Sequence, residues 1–312
     1  MTVSHPPSPE EQSAPYHTNA LPVISTIITR ILESTSIPIH STSKLDTTLT
    51  LLPFHYILSP PAPISSETIT PLSKARKSGL LSPQDATRID LIMGKFLGQM
   101  HSRCQNDWFG LVEDKFDATR EDSTRYSWQE TFTLLFESVL SDIEGLRPYA
   151  ADIPIPQIRL YFSHAIGCFL FDDVQVPSLV WFTGSEDDIY VSPSQMQNPS
   201  RAGLAAILPN VSHALWGDPL LETFFMEQKS EAFMEAYKEA GGSELMYFPR
   251  HKTKRVWYTL FLALVVLRER GHEVDSTPSR SSKMSAPSNI DAAWAVKTIS
   301  DCVLVLKDAP YH

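Results

Sequence analysis

Residues 177–219 read PSLVWFTGSEDDIYVSPSQMQNPSRAGLAAILPNVSHALWGDP. The apolar runs SLVWF, IYV and LAAIL are short and contain β-branched residues, and polar turns with Gly, Pro, Ser and Asn separate them. This pattern indicates strands joined by turns. The closing Asp218-Pro219 pair is typical of a helix start, with a capping acid before a proline. The segment therefore predicts strand, turn, strand, loop, strand and the beginning of a helix.

Upstream of this segment, the sequence predicts a small region with one helix and few strands. Residues 1–20 are rich in Pro, Ser and His and predict a flexible or extended arm. The run LTLLPFHYIL at 49–58 predicts a strand pair, or one strand interrupted at Pro53. A helix is expected from near Pro22 to residues 34–36, because apolar residues recur there at helical spacing. Its apolar face consists of Val23, Ile24, Ile27, Ile28, Ile31 and Leu32.

Helical patterns dominate the rest of the chain. The run SPQD at 82–85 provides a capping serine, a proline and an acid for one helix, and SWQE at 127–130 is a capping box that starts another. Further helices are expected at 157–172, 220–240, 252–270 and 290–306. The low-complexity run DSTPSRSSKMSAPS at 275–288 predicts a loop.

Composition excludes several functional classes. The chain has 312 residues, a formal charge of −10 and no basic run, which argues against nucleic acid or an anionic membrane as a partner. Its three cysteines show no metal-binding or redox spacing. The N-terminus lacks the regions of a signal peptide, and the longest apolar run, 256–267, is shorter than the about 20 residues that span a bilayer. We therefore expect a soluble, cytoplasmic protein.

Three motifs, in a fixed order, carry a resemblance to a known superfamily. They are NDWFG at 106–110 shortly after His101, the spacing W-x-x-x-F from Trp128 to Phe132, and WGDP at 216–219 downstream of SLV at 178–180. In this order they resemble the aminoglycoside-phosphotransferase and choline-kinase superfamily, in particular a fungal branch of small kinase-like proteins. The resemblance implies an α/β (α+β), protein-kinase-like fold with two lobes, a reduced N-lobe sheet and a mostly helical C-lobe.

The resemblance also implies domain boundaries and a loss in the N-lobe. Residues 1–20 would be the flexible arm, 21–60 the reduced N-lobe, and 61–312 the C-lobe with a catalytic-loop-like hairpin at 177–219 and a mobile loop at 272–288. Phosphoryl transfer needs a phosphate-binding loop and a lysine on the phosphates. The chain has no glycine before Gly79 and no lysine before Lys44. The first N-lobe strands are therefore expected to be missing.

The catalytic loop that the resemblance implies lacks its chemical groups. The family's histidine, acceptor-orienting aspartate and metal-binding asparagine fall on Trp181, Thr183 and Asp188, with Asp187 as the alternative if the register slips by one. The metal-binding aspartate six residues before WGDP falls on Asn210. A threonine hydroxyl stays protonated near neutral pH, and asparagine is a weak replacement for a carboxylate facing a divalent cation. We expect no phosphoryl transfer from ATP, and no metal or organic cofactor.

Loss of nucleotide chemistry leaves a cleft that we expect to bind an apolar small molecule. The aromatic residues would form its walls, or else an abandoned site has filled with core. Hydrogen-bonding side chains would orient the ligand, and acids or the histidine would move protons, although His213 also fits a structural role. The candidate substrate-binding residues are Trp181, Phe182 and Tyr190, and the candidate catalytic residues are Thr183, Asp187, Asp188, Asn210 and His213.

Three functions fit such a cleft. The first is a cofactor-free cyclase or isomerase, for example a Diels–Alder type pericyclase of fungal secondary-metabolite biosynthesis, because such reactions need mainly shape, desolvation and a few hydrogen bonds. The second is a non-catalytic pseudokinase that acts as a scaffold or ligand sensor. The third is a residual small-molecule kinase that uses Asp187 or Asp188. The sequence leaves the ligand and the oligomeric state open.

Overall fold

The computed structural model describes residues 2–6, 14–39, 42, 44–60, 69–113, 123–145, 151–192, 203–243, 249–275 and 292–310. They form a small N-terminal lobe and a larger helical lobe, as expected for a kinase-like fold with a reduced N-lobe sheet. No helix among these residues is long and apolar enough to cross a membrane.

The N-terminal lobe consists of one helix on a three-stranded sheet. Strands β1 (Thr2–Ser4), β2 (Lys44–Asp46) and β3 (His55–Leu58) are antiparallel in the order β1-β3-β2. Helix α1 (Leu21–Ser34) buries Leu21, Ile24, Ile27 and Ile31, so the predicted helix and its apolar spacing are confirmed. In the predicted strand region the chain forms the single strand β3, because residues 49–54 turn ahead of it.

Three parts of the helical lobe precede the hairpin segment. Strand β4 (Thr70–Pro71) leads into α2 (Leu72–Lys77), and α3 (Pro83–Arg103) begins at Ser82, whose hydroxyl accepts the N–H of Asp85 at 3.1 Å. Strand β5 (Gly110–Leu111) then precedes α4 (Trp128–Gly145) and α5 (Ile155–Gly167). Helices α4 and α5 contribute four fully buried side chains, Trp128, Phe132, Phe136 and Phe162, to an aromatic core.

The hairpin segment forms two small antiparallel sheets. Strands β6 (Ser178–Val180) and β9 (Leu215–Gly217) pair with β5 in the order β5-β9-β6. Strands β7 (Ile189–Val191) and β8 (Leu204–Ile207) pair with β4 in the order β4-β7-β8. The predicted strands between 177 and 208 are therefore confirmed, and WGDP contributes a further strand before its helical turn.

Three helices follow in the described part of the chain, and their bounds differ from the prediction. Instead of one helix over 220–240, the chain makes 3-10 turns at Pro219–Leu221 and Thr223–Phe225 before α6 (Glu231–Glu239). Helix α7 (Pro249–Asp275) continues through the predicted stop at Gly271, so residues 272–275 are helical rather than part of a mobile loop. The rest of that predicted loop lies outside the described residues. Helix α8 (Ala292–Leu306) closes the described chain, with only residues 307–310 beyond it.

Helices α3 and α6 pack closely because α3 presents glycines to α6. A Cβ atom on Gly94 would lie 2.1 Å from the carbonyl oxygen of Phe233, and one on Gly98 would lie 2.4 Å from that of Tyr237. Neither position accepts a larger residue without moving a backbone. This contact fixes the C-terminal end of α3, where His101 is buried.

Two described parts of residues 1–20, predicted as a flexible or extended arm, are packed against the rest of the protein. Thr2–Ser4 form an edge strand of the N-lobe sheet. Residues 14–20 pack onto the helical lobe, where Tyr16 is 1% exposed and Asn19 is 6% exposed. The Asn19 amide donates to the carbonyl oxygens of Val211 and Ala214 at 3.0 and 2.8 Å. Contacts with residues so distant in sequence leave no mark on local composition.

Candidate functional site

Trp181 stands where the loop between β6 and β7 begins, and both of its N–H groups donate hydrogen bonds. Its backbone N–H donates to Oε1 of Glu222 at 2.6 Å, and its indole N–H donates to the carbonyl oxygen of Asn210 at 2.8 Å. The ring lies over Gly184, where a Cβ atom would come within 2.4 Å of it. Trp181 is therefore held in one position between the loop and the turn before β9, with 5% of its surface exposed.

The next two residues turn into the protein. Phe182 has a φ of 65°, in the left-handed region, and its fully buried ring stacks on Phe261 of α7 at 5.3 Å between centroids. Thr183 is 4% exposed, and its Oγ1 has no hydrogen-bond partner within the described part of the chain. Phe182 thus belongs to the core and offers no surface to a ligand, whereas Thr183 holds a buried hydroxyl with an unused donor and acceptor.

The two aspartates of the loop accept hydrogen bonds from the chain's own residues. Asp188 forms a capping box with Ser185, whose backbone N–H and hydroxyl lie 2.8 and 3.1 Å from Oδ2. Asp187 accepts a hydrogen bond from the hydroxyl of Ser73 in α2. Burial raises the pKa of Asp188 to about 6, against the lowering effect of the Ser185 hydrogen bonds, and the nearby Asp187 raises it further. Asp187 therefore holds the loop to α2, and Asp188 closes a turn within the loop itself.

His213 is buried beneath the N-terminal segment. Its Nδ1 lies 2.9 Å from the hydroxyl oxygen of Tyr16, and burial lowers the pKa of His213 to about 4. The imidazole is therefore neutral at physiological pH and able to accept the Tyr16 hydrogen bond. Tyr16 is held from both sides, because the guanidinium of Arg268 lies 4.7 Å from its ring centroid and Phe261 meets the ring edge-on at 5.4 Å.

Asn210 lies in the turn before β9, and Tyr190 lies in strand β7. Asn210 Oδ1 accepts the backbone N–H of Ser212 at 3.2 Å, which closes the turn before β9. Tyr190 lies half-buried in the middle of β7, paired with Pro71 on one side and Ala206 on the other.

The structure brings the predicted site residues together in two groups. In the first, Trp181 contacts Asn210, while Phe182 and His213 meet through Phe261 and Tyr16. The second group, Asp187, Asp188 and Tyr190, lies at the far end of the loop against α2 and β4. Thr183 lies in the loop between the two groups.

The residues that are present do not fit the metal-binding role that the resemblance implies. Phosphoryl transfer needs carboxylates free to coordinate magnesium. Here Asp187 and Asp188 each accept hydrogen bonds from a serine of the chain through one carboxylate oxygen, and Asn210 offers a neutral amide that bonds its own turn. Within the described ranges, no group of three or more His, Cys, Asp or Glu side chains is arranged to hold a metal ion.

Sequence reasoning missed the residue that holds the loop. Glu222 is fully buried, and its Oε1 accepts the Trp181 N–H and lies 3.3 Å from Nε2 of His101. Its signal in the sequence is a single acid inside the apolar run LLETFF. A charged residue in such a run is buried only when it is paired or hydrogen-bonded.

Comparison with known proteins supports the fold alone. No protein-family model and no curated protein sequence matches the chain. Among solved structures, a Ralstonia eutropha protein assigned as an aminoglycoside phosphotransferase is similar over 94% of this chain and 85% of its own, with a TM-score of 0.53 and 11% identity. A thermostable mutant of aminoglycoside phosphotransferase APH(4)-Ia, in ternary complex with ADP and hygromycin B, is similar over 91% and 82%, with a TM-score of 0.51 and 15% identity. The chain has the kinase-like fold of aminoglycoside phosphotransferases.

Proposed function

We propose that this chain is a kinase-fold protein that acts by binding and does not transfer phosphate, in the manner of a non-catalytic pseudokinase. One observation carries the proposal. The polar groups at the positions for phosphoryl transfer are bound to the chain's own residues, as with Asp187 to Ser73 and Asp188 to Ser185. Thr183 is the exception, and it offers a hydroxyl where the reaction needs a carboxylate.

The burial of the first half of the loop supports the same proposal. A catalytic loop presents its groups to substrates, and its polar side chains stay accessible for that purpose. Here Trp181 and Phe182 are buried, and Tyr16 covers His213. This half of the former active site has become part of the core. The function is therefore expected to reside in a binding surface or cavity of the fold.

A cofactor-free cyclase or isomerase acting on an apolar molecule, including a pericyclase of a fungal secondary-metabolite pathway, is the second candidate. Two observations favour it. The unpaired, buried hydroxyl of Thr183 could donate to a substrate carbonyl, and the pKa of about 6 for Asp188 would let that acid exchange a proton near neutral pH. Trp181 and Tyr190 would be the remaining aromatic contacts. Under this alternative, Thr183→Val would abolish turnover while leaving the fold intact.

The proposal is tested by nucleotide binding in the presence of metal. We expect no shift in melting temperature when ATP or GTP is added to the wild-type chain with Mg²⁺ or Mn²⁺. A ligand raises the melting temperature only when it binds the folded chain, and we propose that nucleotide does not. We also expect no phosphoryl transfer to a panel of hydroxyl acceptors. A metal-dependent stabilisation or turnover by the wild type would overturn the proposal.

A matched variant makes a negative result informative. Thr183→Asp combined with Asn210→Asp restores both acids at the positions that the resemblance assigns. If this variant gains a metal-dependent shift in melting temperature that the wild type lacks, the assay is able to detect such a site. The wild type then shows no shift because it lacks the two acids. Stabilisation of the wild type by apolar polyketide-like or terpenoid-like compounds would instead favour the second candidate.

A further inference from the structure

A cavity of about 360 Å³ lies in the helical lobe, at the end of the β6–β9 pair that faces away from the former catalytic loop. The antiparallel register pairs Ser178 with Gly217 and Val180 with Leu215, so the start of β6 and the end of β9 share one end of the pair. Ser178 and Asp218 line this cavity. Trp181 follows the other end of β6, about 10 Å away at the usual rise per residue. We call this space the rear cavity.

A buried lysine lies between two carboxylates in the wall of the rear cavity. The side chain of Lys254 is 3% exposed, and its Nζ binds Asp173 and lies 3.2 Å from Oδ2 of Asp218. Asp173 also accepts from His251 at 3.2 Å and lies 3.9 Å from Nε of Arg250. An ammonium group has three donors, so the described contacts leave one N–H of Lys254 unused. Lys254 and Arg250 balance the charges of the two acids.

The rear cavity offers a ligand both hydrogen-bond donors and hydrogen-bond acceptors. Ser178 is 3% exposed and lines the rear cavity, and its hydroxyl makes no hydrogen bond to another described residue. The carboxylates of Asp173 and Asp218 keep lone pairs beyond those used by Lys254 and the neighbouring donors. Val174, Val176 and Leu220 add an aliphatic wall. A balanced set of this kind favours neither a lone anion nor a lone cation.

We propose that the rear cavity binds an uncharged, polyhydroxylated molecule of monosaccharide or cyclitol size. Hydroxyl groups donate and accept at once, which matches Lys254 and Ser178 as donors and Asp173 and Asp218 as acceptors. The volume lies at the small end of the about 300–1,000 Å³ range of ligand pockets. The carbon-bound face of such a ring packs on the aliphatic wall. This site is separate from the former phosphoryl-transfer positions.

A ligand in the rear cavity is connected to the loop that begins at Trp181 through two side chains, His101 and Glu222. His101 lines the cavity, and its Nε2 lies 3.3 Å from the Glu222 oxygen that accepts the Trp181 N–H. A ligand beside His101 therefore acts on the same buried carboxylate that holds the loop. The fluorescence of the chain's tryptophans is expected to change when the cavity fills.

The test is isothermal titration calorimetry of the full chain with myo-inositol, D-glucose and D-mannose. We expect at least one of them to bind, and Ser178→Ala to weaken that binding about tenfold by removing one hydrogen bond. Ser178→Ala leaves no partner unsatisfied, so the fold should be kept. Ser300→Ala, on the exposed face of α8, is the matched control and should bind like the wild type.

A second variant fills the cavity. Val176 is 45% exposed and lines the cavity, so Val176→Trp should abolish binding without disturbing the core, whereas Val305→Trp on α8, at 55% exposure, should not. Absence of binding by all three compounds at millimolar concentration would overturn the proposal. So would binding that neither variant weakens, or tighter binding of inorganic phosphate than of any polyol. None of these outcomes depends on whether nucleotide binds.

Discussion

The carboxylate of Glu222 accepts a hydrogen bond of 2.6 Å from the backbone N–H of Trp181, and it lies 3.3 Å from the imidazole of His101. Glu222 is fully buried, and its second oxygen has no hydrogen-bond partner among the described residues. One side chain therefore joins the loop after β6, the end of α3 and the turn after β9. This contact holds the start of the loop, and the hydrogen bond between Ser73 and Asp187 holds its far end.

Replacing Glu222 tests that role. Glu222→Ala removes an acceptor from two buried donors, so we expect a loss of about 2–4 kcal/mol in the free energy of unfolding, measured by urea denaturation. Glu222→Gln keeps one oxygen and should cost less. Glu227→Ala, at an exposed position five residues along the chain, is the control and should change stability by less than about 0.5 kcal/mol. Equal stability of the two alanine variants would contradict the assignment.

Tyr16→Phe tests the contact between the N-terminal segment and His213. The substitution removes a buried hydroxyl and leaves the imidazole without its 2.9 Å partner, so we expect a loss of about 1–3 kcal/mol in the free energy of unfolding. Tyr126 is 68% exposed, and Tyr126→Phe should be nearly neutral. If both variants unfold at the same urea concentration as the wild type, the hydroxyl contributes nothing to stability.

Asp188 is expected to make stability fall as pH rises from about 4 to 6. Its folded carboxyl, with a pKa raised to about 6, retains a proton in this range that the unfolded chain, with the ordinary value of 3.8, has released. Asp188→Asn keeps an acceptor for Ser185 and removes the charge. The variant should therefore be more stable than the wild type at pH 7, by about 1–2 kcal/mol, and no more stable at pH 4.

Unfolding curves at pH 4, 5, 6 and 7 measure this effect. The matched control is Asp301→Asn in α8, where the side chain is 58% exposed and pairs with Lys297 at 2.5 Å. That variant should leave the pH profile between 4 and 7 close to that of the wild type. His213, whose pKa is lowered to about 4, makes stability rise with pH over the same interval, so the effect of Asp188 is read from the difference between the Asp188→Asn variant and the wild type. A difference that does not grow between pH 4 and pH 7 would show that the proton is not retained by Asp188.

At position 182 the glycine variant should be more stable than the alanine variant, which reverses the usual order of stability for these two residues. Its φ of 65° costs an L-residue roughly 1–2 kcal/mol, and glycine avoids that cost. Both truncations lose the packing against Phe261, so Phe182→Gly should be more stable than Phe182→Ala by about 1 kcal/mol. Phe136 is equally buried within α4, and there alanine should be the more stable by a similar amount. Urea denaturation with an added osmolyte keeps all four variants measurable.

The helices that carry local signals were predicted from the sequence. Helix α1 has an apolar face at helical spacing, and α3 begins with the Ser82 cap and Pro83. The segment after Asp218 differs, because an acid at 222 is buried by contacts with Trp181 and His101, which hold the chain in 3-10 turns before α6. Tertiary contacts of this kind override the helical pattern of 220–240.

The candidate site was predicted less completely than the fold. The resemblance assigned Trp181 and Asn210 to the same cleft, and in the structure the Trp181 indole N–H donates to the Asn210 carbonyl oxygen. The resemblance could not reveal that Phe182 turns into the core, because that depends on a left-handed backbone and on Phe261 in a distant helix. Tyr16 contacts His213 across 197 positions, and the local sequence around either residue does not predict this contact.

That long separation has a consequence for how the chain folds. Tyr16 meets His213 across 197 residues and its carbonyl oxygen accepts from Arg268 across 252, so these bonds form only after most of the polypeptide exists. Closing such long loops is entropically slow and contributes little to an early nucleus. The segment around Tyr16 is synthesised before the residues that it contacts, and it is thus expected to dock last. Until it does, a nascent chain exposes the His213 face, which makes the final docking step the interval in which aggregation or chaperone capture would occur.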